Sequence, residues 1–124
     1  YWDTNDDTRA FGKKFFAVHH KMPNFTQAAN YSGVIAYLSA VKAVGSDDPV
    51  KAVAYLKSHK FDHLGETATV REDGRAMFDV GLYQVKSPAE SKYPWDYLKL
   101  MRTIPAADAF IPLSQSTCPL VKKG

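Results

Sequence analysis

The chain has 124 residues, room for one small domain with a modest core. Its 45% hydrophobic and 13% aromatic residues exclude intrinsic disorder, because that much apolar surface offsets chain entropy, and no run approaches the roughly 18 apolar residues of a membrane-spanning helix. The net charge of +3 is scattered among acids except at Lys122 and Lys123; a nucleic-acid footprint clusters on one face or stripe, so the charge reads as solubility.

Thr4-Asn5-Asp6-Asp7-Thr8 is a cluster of helix-capping residues. Phe11, Phe15, Val18 and Met22 come next at steps of four, three and four, one stripe of a first helix that Pro23 ends. A second helix starts at Asn24, Thr26 or Gln27, with Tyr31, Val34 or Ile35, Leu38, Val41 and Val44 at helical spacing and small residues around the remainder. So few charges on so long a helix predict burial on more than one side, between a sheet and a neighbouring helix. Gly45 suits its C-terminal cap. Ser46-Asp47-Asp48-Pro49 then opens a third helix, with Val50, Val53, Ala54 and Leu56 or Lys57 as its inner face and an end near residues 58–60.

Beyond the helices the hydrophobic period changes. Residues 67–71 and 76–85 read as two strands around the Asp73-Gly74 turn, a hairpin. Pro88, Pro94, Pro105, Pro112 and Pro119 break the rest of the chain into short pieces, with a strand or helical turn expected near residues 95–101 and another near 106–110. This tail is aromatic enough to wrap over a surface and pack on it.

No residue pattern carries a catalytic or metal constellation. His59 and His63 have the four-residue spacing of a helical metal pair, but the helix ends there and no Glu follows His59, so a solvated helix end is the better reading. His19 and His20 are adjacent and point apart, and the acidic pairs Asp6-Asp7 and Asp47-Asp48 sit where helices begin and serve as caps. Cys118, the one cysteine, has no environment that would lower its pKa; a buried free thiol and a half-disulfide both remain open. The polar-aromatic run Phe25-Thr26-Gln27-Ala28-Ala29-Asn30-Tyr31 lies where backbone donors and amide side chains converge. Its plainer reading makes Gln27 a cap and Tyr31 the first core residue.

Several segments together resemble the carboxyl-terminal part of the type I periplasmic solute-binding proteins of ABC transporters, the branched-chain amino acid and aromatic acid binding family. Tyr31-Ser32-Gly33-Val34 with Tyr37-Leu38, Ser46-Asp47-Asp48-Pro49 with Tyr55-Leu56-Lys57, and Asp73-Gly74-Arg75 carry the resemblance through the body of the chain. Lys86-Ser87-Pro88-Ala89-Glu90-Ser91-Lys92, Pro94-Trp95-Asp96-Tyr97, Thr103-Ile104-Pro105 and Cys118-Pro119-Leu120-Val121 carry it through the tail. It implies an α/β fold: a fragment of the two-lobed architecture, with three helices followed by a β-hairpin and a proline-rich packed tail. Residues 1–86 would form a lobe segment and residues 87–124 an extension packing on the lobes.

The resemblance further implies the extracytoplasmic substrate-binding component of an ABC transporter, neither enzyme nor cofactor protein. It would hold a small carboxylate-bearing ligand, an amino acid or aromatic acid, between two lobes and deliver it to a membrane permease. The location implied is the periplasm, reached through a signal peptide not present in this chain. The chain would correspond to roughly the last third of such a protein, with the groups that grip the ligand's carboxylate and ammonium lying upstream. By carry-over Thr26, Gln27, Asn30 and Tyr31 become cleft residues, and Tyr1 with Trp2, at the end of a crossing strand, a second pair. Residues 26–28 depart from the amino acid binders, which leaves the aromatic acids in play. Cys118 becomes a half-disulfide to the missing segment, and the fragment is expected to pair with itself or with that segment. A freestanding small α/β sensor or interaction domain is the alternative.

Overall fold

The computed structural model describes residues 1–121, so the Lys122 and Lys123 pair lies outside the described residues. Helix α1 spans Asp6–His19. Asn5 and Thr8 close its first turn reciprocally: the Thr8 amide donates to Asn5 Oδ1 at 2.8 Å and the Asn5 amide to Thr8 Oγ1 at 3.0 Å. The helix ends before Pro23, because His20 turns left-handed (φ 54°) and its amide caps the Phe16 carbonyl. Val18, expected on the inner stripe, is therefore exposed, and Phe11 is the residue of the stripe that is buried.

Helix α2 spans Phe25–Val44 and ends on Gly45, whose φ of 63° is the left-handed cap that glycine adopts without strain. Helix α3 spans Pro49–Ser58, with the Asp48 carboxylate accepting from the Val50 amide at 2.9 Å. The two helices pack on each other through small side chains: Ser32, Ala36 and Ala40 of α2 and Ala52 of α3 are buried. The large residues expected inside are not. Val34, Ile35 and Leu38 on α2, and Val50 and Val53 on α3, are exposed. Alanine and serine at steps of four let two helix axes approach closely, and that approach turns the larger side chains outward.

Strands β1 (Phe61–His63), β2 (Glu66–Val70) and β3 (Ala76–Met77) form one antiparallel sheet in that order, and β1 also lies against α2. The hairpin at Gly74 is the expected one, but the first, through Leu64 and Gly65, was not anticipated. The second strand expected over residues 76–85 is split. After β3 the chain leaves the sheet at Phe78 and Asp79, and β4 (Val80–Val85) pairs instead with β5 (Leu98–Ile104). Asp79 makes the break useful, since its carboxylate accepts the Ala106 amide at 2.9 Å. Of the strand or helical turn expected near residues 95–101, the strand forms, beginning later and running further, to Ile104. A single turn, α4 (Ala106–Ala109), and a 3-10 turn (Leu113–Gln115) complete the tail. No described helix is long and apolar enough to cross a membrane.

Candidate functional site

The first turn of α2 is built by a reciprocal cap. The Asn24 amide donates to Gln27 Oε1 at 2.9 Å, and the Gln27 amide donates to Asn24 Oδ1 at 3.0 Å. Asn30 turns its Nδ2 back onto the Thr26 carbonyl at 2.9 Å. Among the described residues the amides of Phe25 and Thr26 and the Thr26 hydroxyl have no protein partner. Tyr31 stacks on Phe11 of α1, ring centroids 4.6 Å apart and planes 30° from parallel. The arrangement is a set of exposed donors at the helix start, with Phe25 lying open to solvent. Of the plain readings of these residues, the cap holds and the core residue does not. Gln27 is a cap, while Tyr31 rests on the core residue Phe11 and stays exposed.

Trp2 belongs to a different assembly. It lies in a turn ahead of α1. Its indole N–H donates to the Trp95 carbonyl at 3.1 Å, and the same oxygen accepts the Tyr1 hydroxyl at 3.2 Å and the Tyr97 amide at 3.0 Å. Trp95 has φ 70°, a left-handed conformation uncommon for so large a side chain; three donors on its carbonyl hold it there. Tyr1 and Tyr93 meet Trp2 edge-on. The Tyr93 hydroxyl donates to the Asp3 carboxylate, which pushes the phenol up to about 12. Gly12 is buried, with Trp2 carbons 3.6 Å from where its Cβ would be. Phe11 and Gly12, successive on α1, thus support Tyr31 and Trp2 separately. Among the described contacts nothing joins Trp2 to Thr26, Gln27, Asn30 or Tyr31.

The two spaced histidines part company. His59 caps α3 and stacks on Tyr55, centroids 3.9 Å apart, in keeping with an exposed helix end. His63 is instead on β1, half-buried: its Nδ1 lies 2.8 Å from Ser32 Oγ and its ring stacks on Phe78 at 4.3 Å. Burial pushes the His63 pKa down. It also pushes that of Glu66, paired across from His63 on β2, up, with the Asp79 charge adding to the rise. The Ser32–His63 pair is a clamp between α2 and the sheet. The serine is almost wholly buried, with its hydroxyl against the His63 ring. Among the described residues no group of three His, Cys, Asp or Glu could hold a metal ion.

Cavities open elsewhere among the described residues. One of about 600 Å³ lies between the Gly74 turn and the tail, with Arg75, Phe78, Phe110 and Cys118 on its wall. One of about 170 Å³ lies between α2 and α3, and one of about 550 Å³ lies at the loop joining β4 and β5. None of these three is lined by Thr26, Gln27, Asn30, Tyr31 or Trp2. Cys118 is half-buried as a free thiol, its amide donating to Ser116 Oγ at 3.3 Å. Sequence reasoning missed the Ser32–His63 clamp and the Trp95 carbonyl hub. Neither has a local signal, because both join residues far apart in the chain.

The family model for periplasmic binding proteins matches residues 1–92. A crystal structure of a periplasmic binding protein from Burkholderia mallei is 43% identical, with a TM-score of 0.93, over 98% of this chain and 32% of that one. A branched chain amino acid ABC transporter periplasmic ligand-binding protein from Burkholderia xenovorans is 45% identical, with a TM-score of 0.90, over 97% of this chain and 32% of that one. An ABC-type branched-chain amino acid transporter from Rhodopseudomonas palustris shares the fold at a TM-score of 0.72 and 24% identity, over 90% of this chain and 30% of that one. No curated protein matches. The chain therefore spans about a third of the length of the solved structures it resembles.

Proposed function

Because the chain belongs to the periplasmic binding protein family, we propose that it forms part of a two-lobed receptor in the periplasm, which captures a small carboxylate-bearing ligand and delivers it to the permease of an ABC transporter. The observation that carries this reading is the match to a branched chain amino acid ABC transporter ligand-binding protein at 45% identity over 97% of the chain. The ligand is an amino acid or an aromatic acid. The open amides of Phe25 and Thr26 offer a carboxylate its donors at the positive end of α2, and the exposed Tyr31 ring, further along the same helix, offers an apolar wall. The protein works by binding and lobe closure, without catalysis. On the same reading Cys118 pairs with a cysteine in the remainder of the receptor.

Calorimetry on the receptor containing this chain tests the proposal, with branched-chain amino acids in one series and aromatic carboxylates in another. One series is expected to bind at one ligand per receptor, with a change in tryptophan fluorescence as the lobes close. Absence of heat and of fluorescence change with every ligand would overturn ligand capture. The residue assignments have their own test: Tyr31→Phe is expected to keep most of the affinity, and Tyr31→Ala to weaken it about tenfold, the scale of one lost aromatic contact. Equal affinity in both variants would remove Tyr31 from the cleft.

A further inference from the structure

The cavity of about 600 Å³ beside the Gly74 turn is walled by two parts of the chain. Arg75 and Phe78 come from the region that the periplasmic binding protein model matches, whereas Phe110, Ile111 and Thr117 come from the tail, beyond residue 92 where that match ends. The tail is not peculiar to this chain, since the Burkholderia mallei relative is 43% identical over 98% of it. The cavity thus forms where the tail meets the hairpin, and none of the residues assigned to the ligand cleft lines it.

Its charge is unbalanced. Arg71 Nε and Nη2 donate to the two carboxylate oxygens of Asp73 at 3.0 and 2.6 Å, so these two charges answer each other. The same pair fixes the tail wall, because Arg71 Nη1 donates to the Ile111 carbonyl at 2.9 Å and Ser116 Oγ to Asp73 Oδ2 at 3.4 Å. Arg75 has no such partner. Its backbone is held, its amide donating to Asp73 Oδ1 at 3.3 Å and its carbonyl accepting the Arg71 amide at 2.9 Å. Its guanidinium pairs with no carboxylate among the described residues and lies over the Phe110 ring, 5.4 Å from the centroid. Arg75 is exposed, so a ligand can reach it from solvent. Phe78 meets Phe110 edge-on, centroids 5.9 Å apart, and Ile111 extends the apolar wall.

We propose that this cavity is a binding site, separate from the cleft, for a small aromatic carboxylate, with the carboxylate on Arg75 and the ring against Phe78 and Phe110. A guanidinium stacked on a ring keeps the N–H donors at its edge free, and their fork matches the two oxygens of a carboxylate. Neighbouring phenyl rings favour an aromatic body in edge-on or offset contact. The volume falls among those of small-molecule sites, about 300 to 1,000 Å³. An aliphatic acid keeps the ion pair and loses the ring contacts, while a neutral aromatic keeps the rings and leaves Arg75 without its anion. The site does not depend on what the cleft holds.

Calorimetry with benzoate on the receptor containing this chain tests it, with benzamide and acetate as probes that lack the charge and the ring. Benzoate is expected to saturate a site that Arg75→Gln weakens about tenfold or more and Phe110→Leu about threefold or more, while Tyr31→Ala leaves that site unchanged. Benzamide and acetate are each expected to bind it at least about tenfold more weakly. Arg75→Gln is expected to move the unfolding temperature by no more than about 2 °C, because its guanidinium ties no other segment. Acetate binding as well as benzoate would mean that an exposed arginine takes any anion, and would overturn the proposal. Benzoate binding that survives Arg75→Gln and falls in Tyr31→Ala would put the probe in the cleft, overturning this site and leaving ligand capture intact. Binding by the 124-residue chain but not by the receptor would mean that the remainder fills the cavity, and would overturn it too, as would no saturation in either.

Discussion

Gln27 serves its helix before it serves any ligand. Its side-chain oxygen accepts the Asn24 amide, so Gln27→Ala is expected to cost about 1 kcal/mol through the cap alone, and a loss of affinity in that variant would be ambiguous. Gln27→Glu separates the roles. It keeps an acceptor for Asn24 and adds a charge that a helix N-terminus favours, but it repels a carboxylate ligand. Thermal unfolding is expected to be preserved, with affinity down about tenfold or more in calorimetry; unaltered affinity would leave Gln27 as a cap and nothing else. His63 offers a second residue-scale prediction. Burial is the leading cause of its lowered pKa, so its NMR titration midpoint is expected below the usual value of about 6.5. Its contribution to stability is therefore present above that value and is lost as the pH falls through the folded midpoint. Ser32→Ala is expected to leave the midpoint low, whereas Phe78→Ala, which uncovers the ring, is expected to raise it. The opposite pattern would make the hydrogen bond the cause.

At the scale of elements, the β1–β2 hairpin shows what local patterning can and cannot reveal. Its two-residue turn places Leu64 at φ 52° and Gly65 at φ 88°, both left-handed, as the tight primed turn of a hairpin requires. Asp73-Gly74 announces the next hairpin in the sequence; Leu64-Gly65 does not, because leucine is a poor left-handed residue. Gly65→Ala is expected to cost about 2 kcal/mol: its Cβ would meet Asp7 Oδ2 at 2.8 Å and Asn5 Nδ2 at 3.0 Å. Leu64→Asn is expected to recover about 0.5 kcal/mol at the same turn. Urea unfolding of both variants measures the pair, and an undiminished midpoint for Gly65→Ala would show that the turn can open without loss. For the helices, caps and period made the start of α1 and both ends of α2 legible. The choice of inner face on α2 was not, because periodicity ranks residues by hydrophobicity while close packing selected Ser32, Ala36 and Ala40 for their size.

Across the whole molecule, the tail was legible as a packed segment but not in its anchors, short-range ion pairs whose hydrogen bonds to residues about forty positions away leave no local trace. Asp73 accepts Arg71 at 2.6 Å and Ser116 at 3.4 Å, and Arg71 reaches the Ile111 carbonyl at 2.9 Å. Asp96, almost wholly buried, accepts Lys86 Nζ at 2.5 Å and the Lys92 amide at 3.0 Å. The Arg71 hydrogen bond foremost, and the Lys86 hydrogen bond foremost, hold these two carboxyls below the usual carboxylate range. A lowered carboxyl pKa stabilises the fold fully above its unfolded value, about 3.9, and that stabilisation is lost as pH falls through the folded value. Both anchors fasten residues 86–121, whereas α2 and α3 pack on each other mainly through small uncharged side chains. Acidification from about pH 7 toward about 2 is therefore expected to strip hydrogen-exchange protection from β5 and the loop before it while α2 and α3 stay protected. Asp96→Asn is expected to bring the same loss of protection to pH 7, since its amide keeps an acceptor for Lys92 but gives up the charge facing Lys86. Simultaneous loss in the helices and β5 would mean that the carboxylates hold the molecule as one cooperative unit rather than its tail alone.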